Sequence, residues 1–262
     1  IIARDRRITS WAHEAIAARE STFGDHRLGL NVVARYRDSD YRDPITQTVE
    51  LGRVSLFDRP RISEEPVAPA EPTRTSARVR QMETGASLRY AHRTGLAASV
   101  SARRVFVDES SKATDRADSA RSSANWLYNA SLAAPVTDAL TAFVATTRGI
   151  EEAGTAPQNA ANRFEVLSPV LAVQSEVGVQ WRPHERLRLI ATLFDIEKPE
   201  PGFDSQNVYR YLATVTHRGI EASISAQLTE RLSVLVGGAW LEPELQGEAV
   251  AAGLQGDRPV GG

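Results

Sequence analysis

Cysteine is absent from all 262 residues of the chain. This absence excludes disulfide bonds and thiolate metal sites, and it suits an oxidising compartment such as the periplasm. Lysine is nearly absent too, because only Lys112 and Lys198 occur and arginine supplies the other cations. The formal net charge is −2, so no excess of cations is available to neutralise phosphates. We therefore expect no nucleic-acid partner.

Long apolar runs are also missing. No stretch approaches the 18 consecutive apolar residues that a transmembrane helix requires. The opening segment Ile1–Arg7 lacks the sustained apolar region of a signal peptide. These absences do not exclude a membrane β-barrel, because apolar and polar residues alternate along its strands and cancel in any average of hydropathy.

The usual signatures of enzymes and metal sites are missing as well. The five histidines are scattered, and none pairs with another at ligand spacing in the sequence. Asp195, Glu197 and Asp204 fall at a predicted strand end and in the loop after it, where solvated charge is the usual explanation. Gly219 and the pair Gly237–Gly238 lie within predicted strands, which favours close packing or sheet curvature over phosphate binding. We predict no catalytic residue, metal or cofactor.

Strict alternation of apolar and polar residues is clearest between residues 219 and 228. Ile220, Ala222, Ile224, Ala226 and Leu228 share one parity, and the residues between them are small or polar. Side chains alternate between the two faces of a strand, so this pattern predicts a strand with one apolar face. With the runs at 177–196 and 232–240, it predicts two antiparallel hairpins.

Short turns recur along the chain at an almost constant interval. They centre near His92, Val136, His184 and Thr229, which are 44, 48 and 45 residues apart, and a further turn is predicted at residues 22–25. Long polar connections alternate with these turns, as in outer-membrane barrels. The predicted long loops are residues 56–76, 108–123, 148–169, 197–207 and 242–258.

The pattern amounts to about ten strands of some 9 to 14 residues, enough to cross a membrane at the usual tilt. One segment stays ambiguous, because residues 8–19 alternate weakly and residues 15–20 could equally begin a helix. Trp126, Trp181 and Trp240 fall near predicted strand ends, where barrels carry aromatic girdles, although a tryptophan in any β-protein can be core.

Arginines recur on the predicted polar faces. They are Arg27, Arg35, Arg89, Arg103 and Arg188. If that face lines a lumen, such residues could attract anionic ferric chelates or pair with acidic residues of a plug, and we expect pairs within the lining to predominate.

Several sequence segments, in the order expected, resemble the distal barrel half of TonB-dependent siderophore receptors. The segments are Glu176–Trp181, Leu193–Pro199, His217–Ala222 and the turn Gln227–Leu232, with weaker matches at Glu151–Pro157, Asn162 and Gly256–Gly261. Residues 1–150 match the family only loosely, through the regular spacing of their predicted strands.

The resemblance implies an all-β fold, with residues 1–262 forming part of a large transmembrane outer-membrane β-barrel. We expect the plug domain and the closing strands to lie outside this chain. The implied function is TonB-energised uptake of ferric siderophores across the outer membrane of a Gram-negative bacterium. The implied partners are the siderophore, outer-membrane lipid and, through a missing N-terminal part, the TonB–ExbB–ExbD complex. Phe203, Tyr209 and Tyr211, near one predicted extracellular loop, are the candidate ligand-binding residues.

Two alternatives remain open from the sequence. One is a passive outer-membrane pore without siderophore specificity, and the other is a soluble β-rich binding module. A soluble module requires that Ile220, Ile224 and Leu228 be covered by protein, whereas a barrel exposes them to lipid as a continuous band. A partial barrel would leave open strand edges and an apolar face, so we expect this chain alone to aggregate in water.

Overall fold

The computed structural model describes residues 7–44, 74–113, 116–151, 154–157, 159–163, 165–253 and 256–258. These residues form one ten-stranded antiparallel sheet in which each strand pairs with its neighbours in the sequence. The strands are β1 (Arg7–Phe23), β2 (His26–Pro44), β3 (Arg74–His92), β4 (Ala97–Ala113), β5 (Arg116–Pro135), β6 (Leu140–Glu151), β7 (Val170–His184), β8 (Leu187–Phe203), β9 (Tyr209–Thr229) and β10 (Leu232–Gly247). A short helix, α1 (Glu248–Ala251), follows them. No helix in the described ranges is both long enough and apolar enough to cross a bilayer.

All the short turns lie at one end of the sheet. Residues 24–25, 93–96, 136–139, 185–186 and 230–231 connect the strands there, close to the positions that the sequence predicts. We call this the turn end and the opposite end the loop end. The segment 8–19 belongs to β1, so the helical alternative for residues 15–20 is wrong.

One row of directly paired residues crosses all ten strands and shows which face is apolar. The row consists of Ser21, Leu28, Tyr90, Ala98, Leu132, Val144, Val177, Leu193, Ile220 and Trp240. Directly paired residues share a face, so these ten side chains lie on one side of the sheet, which we call the outer face. Its large apolar side chains are exposed; Trp240, for example, retains 68% of its accessible surface.

The opposite face, here the inner face, is polar and more crowded. The neighbouring row runs through Glu20, Gly29, Arg89, Ser99, Ser131, Ala145, Glu176, Phe194, Gly219 and Leu241. Ser99 and Ser131 share a hydrogen bond of 2.8 Å between their hydroxyls. Val105, Val107 and Glu83 are buried on this face, as expected where a sheet curls toward it.

The outer face carries an apolar band, which is clearest on β9. On β9 it runs from Ile220 to Leu228, a span of about 27 Å along the strand. Arg218, the next outer residue toward the loop end, pairs with Asp195 at 2.7 Å and so marks the upper border. Ile220, Ile224 and Leu228 are all exposed. A barrel requires this exposure, whereas a soluble module requires that these residues be covered by protein.

The three tryptophans of the predicted girdle lie on the outer face. Trp126 and Trp240 lie near the middle of β5 and β10, and Trp181 lies beside a short turn. Their exposed fractions of 55%, 68% and 43% exclude a place in a protein core.

Several predicted loops are too long, because the strands extend further than their apolar parts. Most of residues 108–123 forms the ends of β4 and β5, and β8 continues to Phe203, so the predicted loop 197–207 shrinks to a turn at 204–208. Likewise β10 and α1 occupy much of 242–258, and β3 takes residues 74–76. The rest of the predicted loop 56–76 lies outside the described residues. The strands are consequently 12 to 21 residues long rather than 9 to 14.

The polar strand extensions are held by side chains as well as by the backbone. Ser122 donates a 2.6 Å hydrogen bond to Asp108, and Lys112 lies 3.4 Å from Asp118. Because both faces of these segments lie beyond the apolar band, both are polar, and the alternation that reveals a strand is lost. In β8 a register shift between Glu200 and Pro201 accommodates a proline that cannot donate to the ladder.

Candidate functional site

The inner face carries a connected set of charges within the sheet. Glu83 is 4% exposed, and its carboxylate accepts a 2.8 Å hydrogen bond from Arg103. Arg35 lies 3.9 Å from the same carboxylate and also pairs with Glu14 on β1. A buried carboxylate requires such partners, so these arginines are committed to Glu83 and Glu14.

The other inner-face arginines that the sequence singles out behave similarly. Arg27 pairs with Glu20 at 3.1 Å, and Arg188 donates a 2.6 Å hydrogen bond to Gln180. The expectation that pairing within the lining predominates is thus confirmed for Arg27, Arg35 and Arg103, each of which pairs with a glutamate.

The connection between β6 and β7 is fastened to the β8–β9 hairpin by several hydrogen bonds, two of which involve the Asn162 side chain. The Asn162 amide donates a 2.9 Å hydrogen bond to the Tyr209 carbonyl, and its oxygen accepts one of 2.8 Å from the Tyr209 N–H. A second contact comes from Asn207, whose side chain donates to the Asn159 carbonyl at 2.7 Å. Ala156, Ala160 and Leu167 of the connection are buried beneath this arrangement. We call these contacts the loop latch.

The turn of the β8–β9 hairpin is organised around Asp204. Its carboxylate accepts hydrogen bonds of 2.9 Å from the backbone N–H groups of Gln206 and Val208, and one of 3.0 Å from Arg210. The pKa of the Asp204 carboxyl is lowered below its usual value, mainly by the hydrogen bond from the Val208 N–H and next by the one from the Arg210 guanidinium. The carboxylate therefore stays ionised at neutral pH and holds the turn beside the loop latch.

The three aromatic residues predicted to bind ligand lie close to this turn and to the latch. Phe203 and Tyr209 are paired across the hairpin, with ring centroids 5.1 Å apart and an interplanar angle of 60°. The Tyr211 hydroxyl donates a 2.6 Å hydrogen bond to the Ser168 carbonyl. Burial raises the pKa of Tyr211, so its hydroxyl remains a donor at neutral pH.

A cleft of about 370 Å³ opens between the inner face and the β6–β7 connection. Its lining residues are Arg37, Val79, Gln81, Val107, Glu109, Ile150, Glu151 and Pro169. None of the three predicted aromatics lines it. The sequence analysis missed these polar residues because strands far apart in the sequence contribute them.

One pairing of histidines also escaped the sequence analysis. His26 on β2 lies opposite His92 on β3, with ring centroids 4.8 Å apart, although 66 residues separate them. The spacing of the histidines in the sequence gives no sign of this contact, because it depends on how β2 pairs with β3. Each ring already has a partner through Nδ1, since His26 bonds to Tyr90 and His92 to Thr94. In the described ranges, no group of three or more His, Cys, Asp or Glu side chains could hold a metal ion.

Solved structures that share this fold include ferric and siderophore receptors. BauA, the ferric preacinetobactin receptor of Acinetobacter baumannii, superposes with a TM-score of 0.70 at 16% identity, over 94% of this chain and 38% of its own. Fiu, the ferric-catecholate import receptor of E. coli K12, gives 0.68 at 14% identity, with 92% and 38% covered. The siderophore receptor PiuA of A. baumannii gives 0.66 at 15%, with 93% and 39% covered.

The chain spans about two fifths of the length of these receptors. No curated protein sequence matches it. At these identities the superpositions establish the fold, and they agree with the ten antiparallel strands and the exposed outer band. A family model described as TonB dependent receptor-like, beta-barrel matches residues 5–260. The chain therefore belongs to the TonB-dependent receptor β-barrel family.

Proposed function

We propose that this chain supplies the wall and the extracellular mouth of an outer-membrane receptor that imports ferric siderophores with energy from TonB. Barrels of this family lie in the outer membrane of Gram-negative bacteria and act as transport receptors rather than enzymes. The turn end then faces the periplasm and the loop end faces the exterior. On this proposal a plug domain and the closing strands lie outside residues 1–262, and contact with TonB, ExbB and ExbD is made there.

The loop latch is the observation that carries the proposal. A passive pore needs an open mouth, whereas here the β6–β7 connection is fastened by Asn162 to the β8–β9 hairpin, beside the inner face. Beside the latch, Phe203 packs against Tyr209, and the Tyr211 hydroxyl bonds to the Ser168 carbonyl of the same connection. A rigid arrangement of aromatic and polar groups is typical of a ligand site. In our proposal these three aromatics contact the siderophore.

Uptake of radiolabelled iron by the full-length receptor tests this proposal. We expect a cell lacking its other iron receptors to accumulate iron from at least one ferric siderophore in a chemically varied panel. That uptake should stop when TonB is deleted, because the receptor has no other source of energy. Iron uptake that persists without TonB would favour the passive pore, and uptake of none of the panel would contradict the siderophore assignment.

Alanine variants test the three aromatic residues separately. We expect Tyr209→Ala to weaken binding of the transported complex about tenfold, because contacts between aromatic rings contribute about 0.5–1.5 kcal/mol beyond their buried area. Tyr36→Ala, on the outer face, is the matched control and should bind normally. Equal binding by both variants would show that the site lies elsewhere on the mouth.

A further inference from the structure

Two arginines lie on the outer face near the loop-end border of the apolar band. Arg104 on β4 is directly opposite Trp126 on β5, and Arg148 on β6 is directly opposite Tyr128 on the same strand. Trp126 and Tyr128 are successive outer residues of β5 and are exposed. The two arginines thus lie on β4 and β6, the strands on either side of β5. The backbones of β4 and β6 are about 10 Å apart across the sheet.

These arginines have no carboxylate partner in the described ranges, unlike other arginines of the same face. Arg218 pairs with Asp195 at 2.7 Å, and Arg80 lies 3.8 Å from Asp38. In contrast, the guanidinium carbon of Arg104 lies 5.6 Å from the ring centroid of Phe106 and 5.4 Å from that of Trp126. The Nε atom of Arg148 is buried and has no hydrogen-bond partner.

A cation on a lipid-facing surface with no carboxylate nearby is available to bind an anion from outside the protein. Arginine at the middle of a bilayer costs about 2–4 kcal/mol in barrels, and the cost falls toward the interface. Long side chains reduce it by extending toward the headgroups. On β4 the outer residues beyond Arg104 are Phe106 and then Asp108, so the guanidinium lies just below the loop-end border of the band.

We propose that Arg104 and Arg148 form a site on the barrel exterior for the phosphate-bearing headgroup of a lipid in the external leaflet. Guanidinium groups bind phosphate oxygens through two parallel hydrogen bonds, and the rings of Trp126 and Tyr128 between them lie at the interface where amphipathic aromatics are favoured. Charge complementarity fixes the class of ligand, because the described part of the chain offers these two cations no acid. The site is separate from the mouth and does not depend on the identity of the transported ligand.

Native mass spectrometry of the full-length receptor in detergent tests the site. The probes are a lipid A carrying two phosphates, the same lipid without phosphate, and phosphatidylethanolamine. We expect the wild type to retain the phosphorylated lipid A selectively. Arg104→Gln with Arg148→Gln should weaken that binding about 25-fold, since each arginine contributes about fivefold near an anionic surface. The matched control Arg218→Gln, on the same face but already paired with Asp195, should leave it unchanged.

Two further measurements separate this site from its alternatives. The double lysine variant Arg104→Lys with Arg148→Lys keeps both charges and should retain most of the binding. The difference in gel mobility between the unheated, folded barrel and the heated, unfolded chain should be the same for all variants. Equal loss in the lysine and glutamine variants would overturn the proposal, because it would indicate packing of a planar group rather than charge. Binding unaffected by the glutamine pair, or displaced by inorganic phosphate alone, would overturn it as well.

Discussion

Two glycines on the inner face lie beneath the phenylalanine rings of neighbouring strands. Phe194 on β8 is directly opposite Gly219 on β9, and Phe143 on β6 is directly opposite Gly178 on β7. A Cβ built on Gly219 would lie 2.4 Å from the Trp240 carbonyl oxygen and 2.6 Å from Phe194 Cζ. The ring covers the strand where a side chain is missing, and the strands can approach there. This confirms that Gly219 serves close packing.

Replacing Gly219 by valine should therefore destabilise the barrel. We expect a loss of about 1–3 kcal/mol, the usual cost of forcing extra atoms into a packed site. The measurement is the denaturant midpoint of the full-length receptor folded in lipid vesicles. Gly238→Val is the matched control on the adjacent strand, because a Cβ there meets no atom within 4 Å. Equal midpoints for the two variants would contradict the packing role of Gly219.

At the scale of strands and loops, the sequence identified those features that depend on local alternation. The turns near His92, Val136, His184 and Thr229 and the outer parity of Ile220–Leu228 are all confirmed, because each depends on a few adjacent residues. The boundaries toward the loop end were wrong, since residues 108–113 and 116–123 form strands in which neither face is apolar.

Contacts between residues far apart in the sequence could not be predicted from it. The His26–His92 pair depends on the β2–β3 register, and those strands are separated by a connection that leaves the register open. The cleft is formed by β2, β3, β4 and β6 together with Pro169, so its lining could not be read from any one segment. The aromatic candidates lay close to the turn, as expected, but their role in binding stays a prediction.

The loop latch allows a test of how one side chain orders a connection. Asn162→Ala removes both hydrogen bonds to the Tyr209 backbone and leaves that backbone N–H and carbonyl without their partner, at a cost of about 1–3 kcal/mol for a buried group. We expect faster proteolysis of the β6–β7 connection in the full-length receptor and weaker ligand retention. The barrel itself should keep its denaturant midpoint.

The control for this variant lies three residues away. Asn159 contributes its backbone carbonyl to the latch, so Asn159→Ala should preserve the bond from Asn207 and cleave no faster than the wild type. If both variants cleave at the wild-type rate, Asn162 does not hold the connection in place.

At the scale of the whole molecule, the tilt of the strands relative to the membrane is visible in the paired rows. On β2 the apolar outer residues extend from Leu28 toward the loop end as far as Tyr36, whereas on β9 they extend from Ile220 toward the turn end as far as Leu228. Leu28 and Ile220 belong to the same row, but Leu28 lies at the turn-end border of the apolar band and Ile220 at its loop-end border. The row therefore crosses the band obliquely. Strands paired in this way are tilted, as closure into a barrel requires.

A single positive charge placed on either face of β9 tests this arrangement. Ile224 lies at the centre of the outer run Ile220–Leu228, so Ile224→Arg puts a guanidinium at the middle of the lipid and should cost about 2–4 kcal/mol. Ser223, the adjacent residue, faces the polar inner side, and Ser223→Arg should cost little because its charge stays among polar groups. Denaturant titration of the full-length receptor in vesicles measures both variants. Equal costs would show that the outer face is not in contact with lipid, whereas a large cost confined to Ile224→Arg would place the apolar band across the bilayer.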